Sequence, residues 1–190
     1  MEQVKLFDNE IYKLKYDFRW DSIKDFCYQY HIDFRNDVYG RYGIHFKPHQ
    51  VDMFKGYYDY IEPLYKKIIT EKWGLPDNHE YYVEDSWLRS SSYGESKLEH
   101  DHGDVIAVIC AYLKIPENSE ILEVKNPSYN SYRFVPFPDE SWSWKRVPIK
   151  ENDVVVMPGW CLHRTQENKS EDVRFMIATN IGIRVKKKLL

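Results

Sequence analysis

Three histidines and one arginine carry most of the chemistry in this sequence. His100 and His102 stand one residue apart at the mouth of a long apolar run, Val105-Ile106-Ala107-Val108-Ile109-Cys110-Ala111-Tyr112-Leu113. The run is rich in β-branched residues and reads as a buried strand. In an extended chain alternate side chains share a face, so the two imidazoles point the same way, about 7 Å apart at the backbone. At that spacing they can converge on one metal ion. His163, far along the chain behind the turn Pro158-Gly159-Trp160, is the best third ligand. Neutral imidazoles suit iron, zinc, copper or nickel, and a face of three ligands leaves positions open for substrate or oxygen. Eleven residues beyond His163 comes Arg174, in Val173-Arg174-Phe175-Met176-Ile177-Ala178-Thr179-Asn180. That stretch alternates, with Val173, Phe175, Ile177 and Ile181 on one face and Arg174, Met176, Ala178 and Asn180 on the other. An arginine among small and apolar inward residues is costly unless it meets an anion, and its planar fork fits a carboxylate bidentately.

The elements that must position these groups follow from periodicity. Residues 1–19 alternate loosely (Val4, Leu6, Ile11, Leu14, Tyr16, Phe18) and suit one or two short strands or extended segments. With Asp21 or Ser22 as N-cap, Ile23, Phe26, Cys27 and Tyr30 fall at helical spacing to about His31. Residues 33–48, with Gly40 and Gly43, read as a loop. A longer helix follows, its stripe Val51, Phe54, Tyr58, Ile61, Tyr65 and Ile68 stepping by three and four, and this stripe must pack against a sheet. Pro63 should kink it and Gly74-Leu75-Pro76 should end it. His31, His45, His49 and His79 read as surface or loop residues.

After Pro76 the period becomes two. Strands are predicted over 81–90, 99–113, 119–125, 131–135, 143–147, 153–157 and 173–185, many separated by Pro, Gly, Asn or Asp. Such punctuation without helical crossovers predicts an antiparallel sandwich or barrel. The length suits one domain over 1–190, mostly helical over 1–78, with the β core over 79–190.

Composition narrows the function class. The chain is 43% hydrophobic and 16% aromatic with 16 tyrosines, which marks a folded protein. A formal charge of -3 without a basic domain gives no nucleic-acid footprint, and Lys186-Lys187-Lys188 reads as a solvated tail. Cys27, Cys110 and Cys161 lack paired spacing and read as reduced core thiols. The opening Met1-Glu2-Gln3-Val4-Lys5 has no apolar signal region, and no run approaches a membrane span. A cytoplasmic location is expected, the host cytoplasm if the protein is viral.

The pattern resembles the iron(II)- and 2-oxoglutarate-dependent oxygenases, in particular the small ones of bacteriophages and marine bacteria. The matching residues are Trp87, Gly94, His100 and His102, Tyr112-Leu113, Pro158-Gly159-Trp160-Cys161-Leu162-His163, Asn168, Arg174 and Asn180, and the likeness runs over residues 81–184. It implies a mainly β fold with N-terminal helices, a double-stranded β-helix (jelly roll) with iron at one open end. It implies His100 and His163 as iron ligands and Arg174 as the partner of the distal carboxylate of 2-oxoglutarate. The middle ligand is open. His102 fits the family's register but replaces the superfamily's usual carboxylate; Asp104, in His102-Gly103-Asp104, shares the parity of both histidines and is the alternative. Asp104 and Glu99 are also candidate acceptors for a ligand imidazole, while Asp101 faces the other way. Tyr112 is a candidate donor to 2-oxoglutarate, and Asn180 is a candidate to orient Arg174 or a water. Trp87 and Trp160 read first as packing.

The expected activity is hydroxylation of a small-molecule or peptide substrate with O2, iron(II), 2-oxoglutarate and ascorbate as candidate reductant. Two rivals stand beside it. A three-histidine zinc hydratase or hydrolase would use the same imidazoles but gives Arg174 no task, and a non-catalytic jelly roll would need none of them. Lys125 to Val147, with Tyr129, Tyr132, Phe134, Phe137, Trp142 and Trp144, reads as an aromatic recognition segment or as outer packing.

Overall fold

A computed structural model describes residues 10–36, 46–119, 122–127 and 143–186. The expectations for Val4, Leu6, Gly40, Gly43, His45, the strand over 131–135 and the aromatic residues from Tyr129 to Trp142 lie outside the described residues. Among the described residues no helix is long and apolar enough to cross a membrane.

Two helices precede most of the strands. Helix α1 spans Trp20–Arg35, longer at both ends than its periodicity implies. Tertiary contacts extend it. Trp20 and Tyr28 pack on Phe175, with ring centroids 5.5 and 5.1 Å away, His31 Nδ1 meets Ser90 Oγ at 2.8 Å, and Arg35 pairs with Glu95 at 2.5 Å. Neither Asp21 nor Ser22 caps it; Arg19, at φ 48°, takes that position without a side-chain cap. Helix α2 spans Asp52–Lys67 and buries Phe54, Tyr57, Ile61 and Tyr65. It continues past Pro63 and ends in a π turn, Ile68–Lys72, before Gly74 at φ +70° turns the chain. His31 and His49 are not surface residues but half-buried clamps on strand β2, His49 meeting Ser86 Oγ at 2.6 Å.

The strands are β1 (Tyr12–Lys15), β2 (His79–Ser91), β3 (Lys97–His100), β4 (Ala107–Lys114), β5 (Leu122–Lys125), β6 (Trp144–Val147), β7 (Asp153–Pro158), β8 (His163–Thr165) and β9 (Arg174–Val185). They form an antiparallel five-stranded sheet, β1-β7-β4-β9-β2, and an antiparallel four-stranded sheet, β3-β8-β5-β6. From β2 onward the chain passes repeatedly from one sheet to the other, which is the jelly roll. The run predicted over 99–113 is two strands in different sheets, separated by a turn at Gly103, φ +59°.

The large sheet is covered on both faces. On one side Ile109, Ala111, Leu113, Val154, Val156, Phe175, Ile177 and Ile181 pack against the helices; on the other Val108, Cys110, Tyr112, Val155, Met157, Met176 and Ala178 meet Leu122 and Val147 of the small sheet. Double coverage explains why β4 is an unbroken apolar run. It also pins β9, since truncating a fully buried aromatic such as Phe175 costs about 3–5 kcal/mol.

Candidate metal centre

His100 ends β3 and pairs directly across from His163, the first residue of β8, so their rings lie 4.3 Å apart. His102 is not on the same strand as His100. It follows in the connecting turn, where its N–H donates to Gly159 O at 3.0 Å and its ring stacks on Trp87, centroids 5.9 Å apart. Gly159 sits hard against the facing backbone: a Cβ there would lie 1.9 Å from Val105 O. Only glycine lets the turn leading to His163 approach the turn carrying His102 this closely.

One nitrogen from each of His100, His102 and His163 lies within 4.8 Å of the other two. The remaining nitrogens are all committed. His100 Nδ1 donates to Leu98 O at 2.8 Å, His163 Nδ1 to Cys161 O at 2.8 Å, and His102 Nδ1 to Asn180 Oδ1 at 2.7 Å. With oxygen acceptors at each Nδ1, each ring carries its proton there and its lone pair on Nε2, the arrangement metal-bound imidazoles need. Burial holds all three rings below the ordinary imidazole range, His163 down to about 4. They are therefore neutral donors at neutral pH, and a divalent transition metal fits them.

Asp104 is outside this group. The turn at Gly103 cancels the strand parity on which that alternative rested, and Asp104 is exposed. Glu99 pairs with Lys125 at 2.5 Å and supports no imidazole. Asp101 is exposed and accepts the Gly103 N–H. Asn180, expected beside Arg174, holds His102 instead.

Behind the histidines lies a cavity of about 220 Å³, walled by Trp87, Arg89, Lys97, Tyr112, Thr165 and Met176 among others. Tyr112 is fully buried in this wall. Arg174 is 1% exposed, its guanidinium carbon 5.7 Å from the Tyr112 ring centroid and Nη2 3.7 Å from Met176 Sδ. It thus lies on the inward face, opposite Ser91 in the β2–β9 register. Asn168 fixes the approach to Arg174: its Nδ2 donates to Ser91 O at 2.8 Å and its Oδ1 accepts the Ser170 N–H. A larger groove of about 690 Å³ runs past Ile11, Lys145, Val147 and the half-exposed Trp160. It touches none of the three histidines, so the smaller cavity, where the three imidazole nitrogens converge, is the candidate site. Trp144 lies outside it, under the Arg164 guanidinium at 4.0 Å.

Sequence reasoning missed Arg89, Lys97 and Thr165. Their signal was available for one of them: Arg89 is two residues from Trp87 on the same face of a strand.

The family model described as "Putative 2OG-Fe(II) oxygenase" matches residues 85–180, just over half of the chain. No curated protein sequence matches. Among solved structures, a prolyl-4-hydroxylase from Pseudomonas putida superposes with a TM-score of 0.61 at 11% identity, over 93% of this chain and 89% of that one. The epimerase SnoN from nogalamycin biosynthesis, in complex with Fe3+, alpha ketoglutarate and nogalamycin RO, gives 0.59 at 10% identity, over 96% and 83%. The chain spans about half (51%) of an oxidoreductase of the 2OG-Fe(II) oxygenase family from Burkholderia pseudomallei, at 10% identity, TM-score 0.46 and 62% coverage of this chain. The likenesses to the prolyl-4-hydroxylase and to SnoN speak for the jelly-roll fold, and the family match covers all three histidines: the chain belongs to the 2OG-Fe(II) oxygenases, whose metal is iron(II) and whose co-substrate is 2-oxoglutarate.

Proposed function

We propose that the protein is a hydroxylase in which His100, His102 and His163 hold iron(II) and Arg174 binds the distal carboxylate of 2-oxoglutarate. The convergence of three imidazoles, each with Nδ1 tied to an oxygen, is the observation that carries this reading. Iron bound there would supply oxygen activation coupled to decarboxylation of the co-substrate. The chain's own part is positional. The imidazoles are fixed in tautomer before metal arrives, and Arg174 offers a buried cationic fork beside Tyr112 and Met176, two residues of the cavity wall. A donor set with no carboxylate leaves the metal's double charge uncompensated, so a dianionic co-substrate is bound more strongly than in a site that already holds an anion.

Anaerobic protein with iron(II) is expected to develop a visible charge-transfer band on addition of 2-oxoglutarate, and to form succinate when oxygen is admitted. His163→Ala should abolish metal binding. Arg174→Met should keep the metal and weaken 2-oxoglutarate by about 10–100-fold, the worth of a charged hydrogen bond. Absence of both band and succinate at full iron occupancy overturns the proposal, and activity on zinc protein alone would favour the hydratase alternative.

A further inference from the structure

Arg89 stands opposite Met176 in the β2–β9 register, so its side chain leaves β2 on the face shared with Trp87 and Ser91. Lys97 opens β3 in the facing sheet. Both wall the metal cavity. Among the described residues neither side chain makes a hydrogen bond or ion pair. Cations on neighbouring elements are engaged, Arg35 by Glu95, Lys125 by Glu99 and Arg164 by Glu123. Glu95, the acid whose charge Arg89 feels, is already held by Arg35 and by the Ser92 N–H.

Trp87, Arg89 and Lys97 belong to two cavities at once. Besides the metal cavity they wall a second one of about 420 Å³, bounded by Tyr30, Phe34 and Arg35 of α1 and by Glu95. These three side chains therefore form the partition between the metal cavity and an outer groove whose helix side is aromatic. A molecule reaching the metal from that groove passes a guanidinium and an ammonium.

Charge decides what kind of molecule that is. Three neutral ligands leave a bound divalent ion with its full charge, which the dianionic co-substrate cancels. The charges of Arg89 and Lys97 remain at the partition, neither paired with an acid among the described residues. We propose that the outer groove is the substrate site and that Arg89 and Lys97 grip an anionic oxygen group of the substrate, a carboxylate or a phosphate, while its apolar body lies on Tyr30 and Phe34. This rests on the metal and co-substrate assignment above. It makes the substrate an acid, oxidised at a carbon close to its anionic group.

Microcalorimetry on the full chain, anaerobic with iron(II) and saturating 2-oxoglutarate, tests this with benzoate, phenyl phosphate and the neutral benzamide as probes. One or both anions should bind and benzamide should not; tighter benzoate marks a carboxylate substrate, tighter phenyl phosphate a phosphate one. Arg89→Gln should weaken the bound anion about 10-fold or more, and Lys97→Gln, an exposed site where folding is not at stake, about 3-fold. Equal binding of benzamide, or anion binding indifferent to both substitutions, overturns the inference. So does a loss of 2-oxoglutarate affinity in Arg89→Gln as large as the loss of probe binding, since Arg89 would then serve the co-substrate. Failure of the wild type to bind 2-oxoglutarate strikes at the proposed function instead, and is read separately from the probes.

Discussion

Asn180 shows how one side chain sets the chemistry of another. Its Oδ1 accepts the His102 Nδ1 proton at 2.7 Å, and its place on β9, opposite Asp85 on one side and Val108 on the other, fixes that oxygen in space. His100 and His163 have backbone carbonyls for the same task, supplied by residues two positions earlier in each case. His102, in a turn, has no such carbonyl and depends on a side chain from a different strand. Removing the acceptor frees the ring to rotate and to exchange its tautomer, and loss of such an outer partner typically lowers metal affinity about 10–100-fold. Asn180→Ala should therefore bind iron(II) or zinc(II) about 10–100-fold more weakly in competition with a chelator, and Asn180→Asp, which offers the same oxygen, should recover most of the loss. Wild-type metal affinity in Asn180→Ala would show that His102 is held by its stack on Trp87 instead. The clustering of the three histidines was legible from residue type and motif. The role of Asn180 was not, because the alternation that put it on the face of Arg174 says nothing about which neighbour on the adjoining strands it reaches.

At the scale of elements, β1 is an edge strand of four residues and needs help to stay on β7. Asp153 of β7 supplies it. Fully buried, it takes Lys13 at 3.1 Å and Lys15 at 2.6 Å from β1, and its Oδ2 accepts the Lys150 N–H at 2.7 Å. Burial alone would push its carboxyl up, but those hydrogen bonds outweigh it and hold the group below the ordinary aspartate range. A carboxylate whose folded pKa is depressed contributes stability that is complete above its unfolded value, about 3.9, and is lost as pH falls through the folded one. The lysines are partly solvated, so the contribution is modest, roughly 1–3 kcal/mol. Asp153→Asn should be destabilised by that amount in urea at pH 7, and the gap to wild type should shrink as pH falls below about 4. A gap of unchanged size at pH 3 would assign the effect to packing. Element type was largely legible here, since helix stripes and strand alternation reflect local burial. Element ends were not, because α1 is extended by Trp20 on Phe175 and by Arg35 on Glu95, partners remote in sequence. The run from Glu99 to Leu113 misled for a similar reason. Its apolar half is buried between helices and small sheet, while its first residues belong to another sheet, and only Gly103 hinted at the turn between them.

At the scale of the molecule, the jelly roll solves a problem of distance. His100 and His102 come from the end of β3 and the turn beyond it, His163 from β8, and the β3–β8 pairing is short, with a register irregularity between Lys97 and His100. Metal bound by all three would staple these two segments together, and would do so only in the folded state. The chain as a whole carries a charge of -3, yet its metal cavity is walled by Arg89 and Lys97. Its field therefore favours anions there and does not by itself concentrate cations, so the affinity for metal must come from the preset Nε2 atoms. A ligand that binds only the native state at one hundred times its dissociation constant adds about 2.7 kcal/mol of stability. For a chain of this length each kcal/mol moves the melting temperature by about 2–4 °C. Anaerobic iron(II), or zinc(II) as a redox-silent stand-in, should thus raise the melting temperature by about 5–10 °C, a chelator should reverse the rise, and His163→Ala should show none. An equal rise in His163→Ala would mean that the metal stabilises the protein from somewhere else. A further rise on adding 2-oxoglutarate to metal-loaded wild type, absent in Arg174→Met, would tie the stapled strands to the buried guanidinium of Arg174 and show that metal and co-substrate are bound by one folded unit.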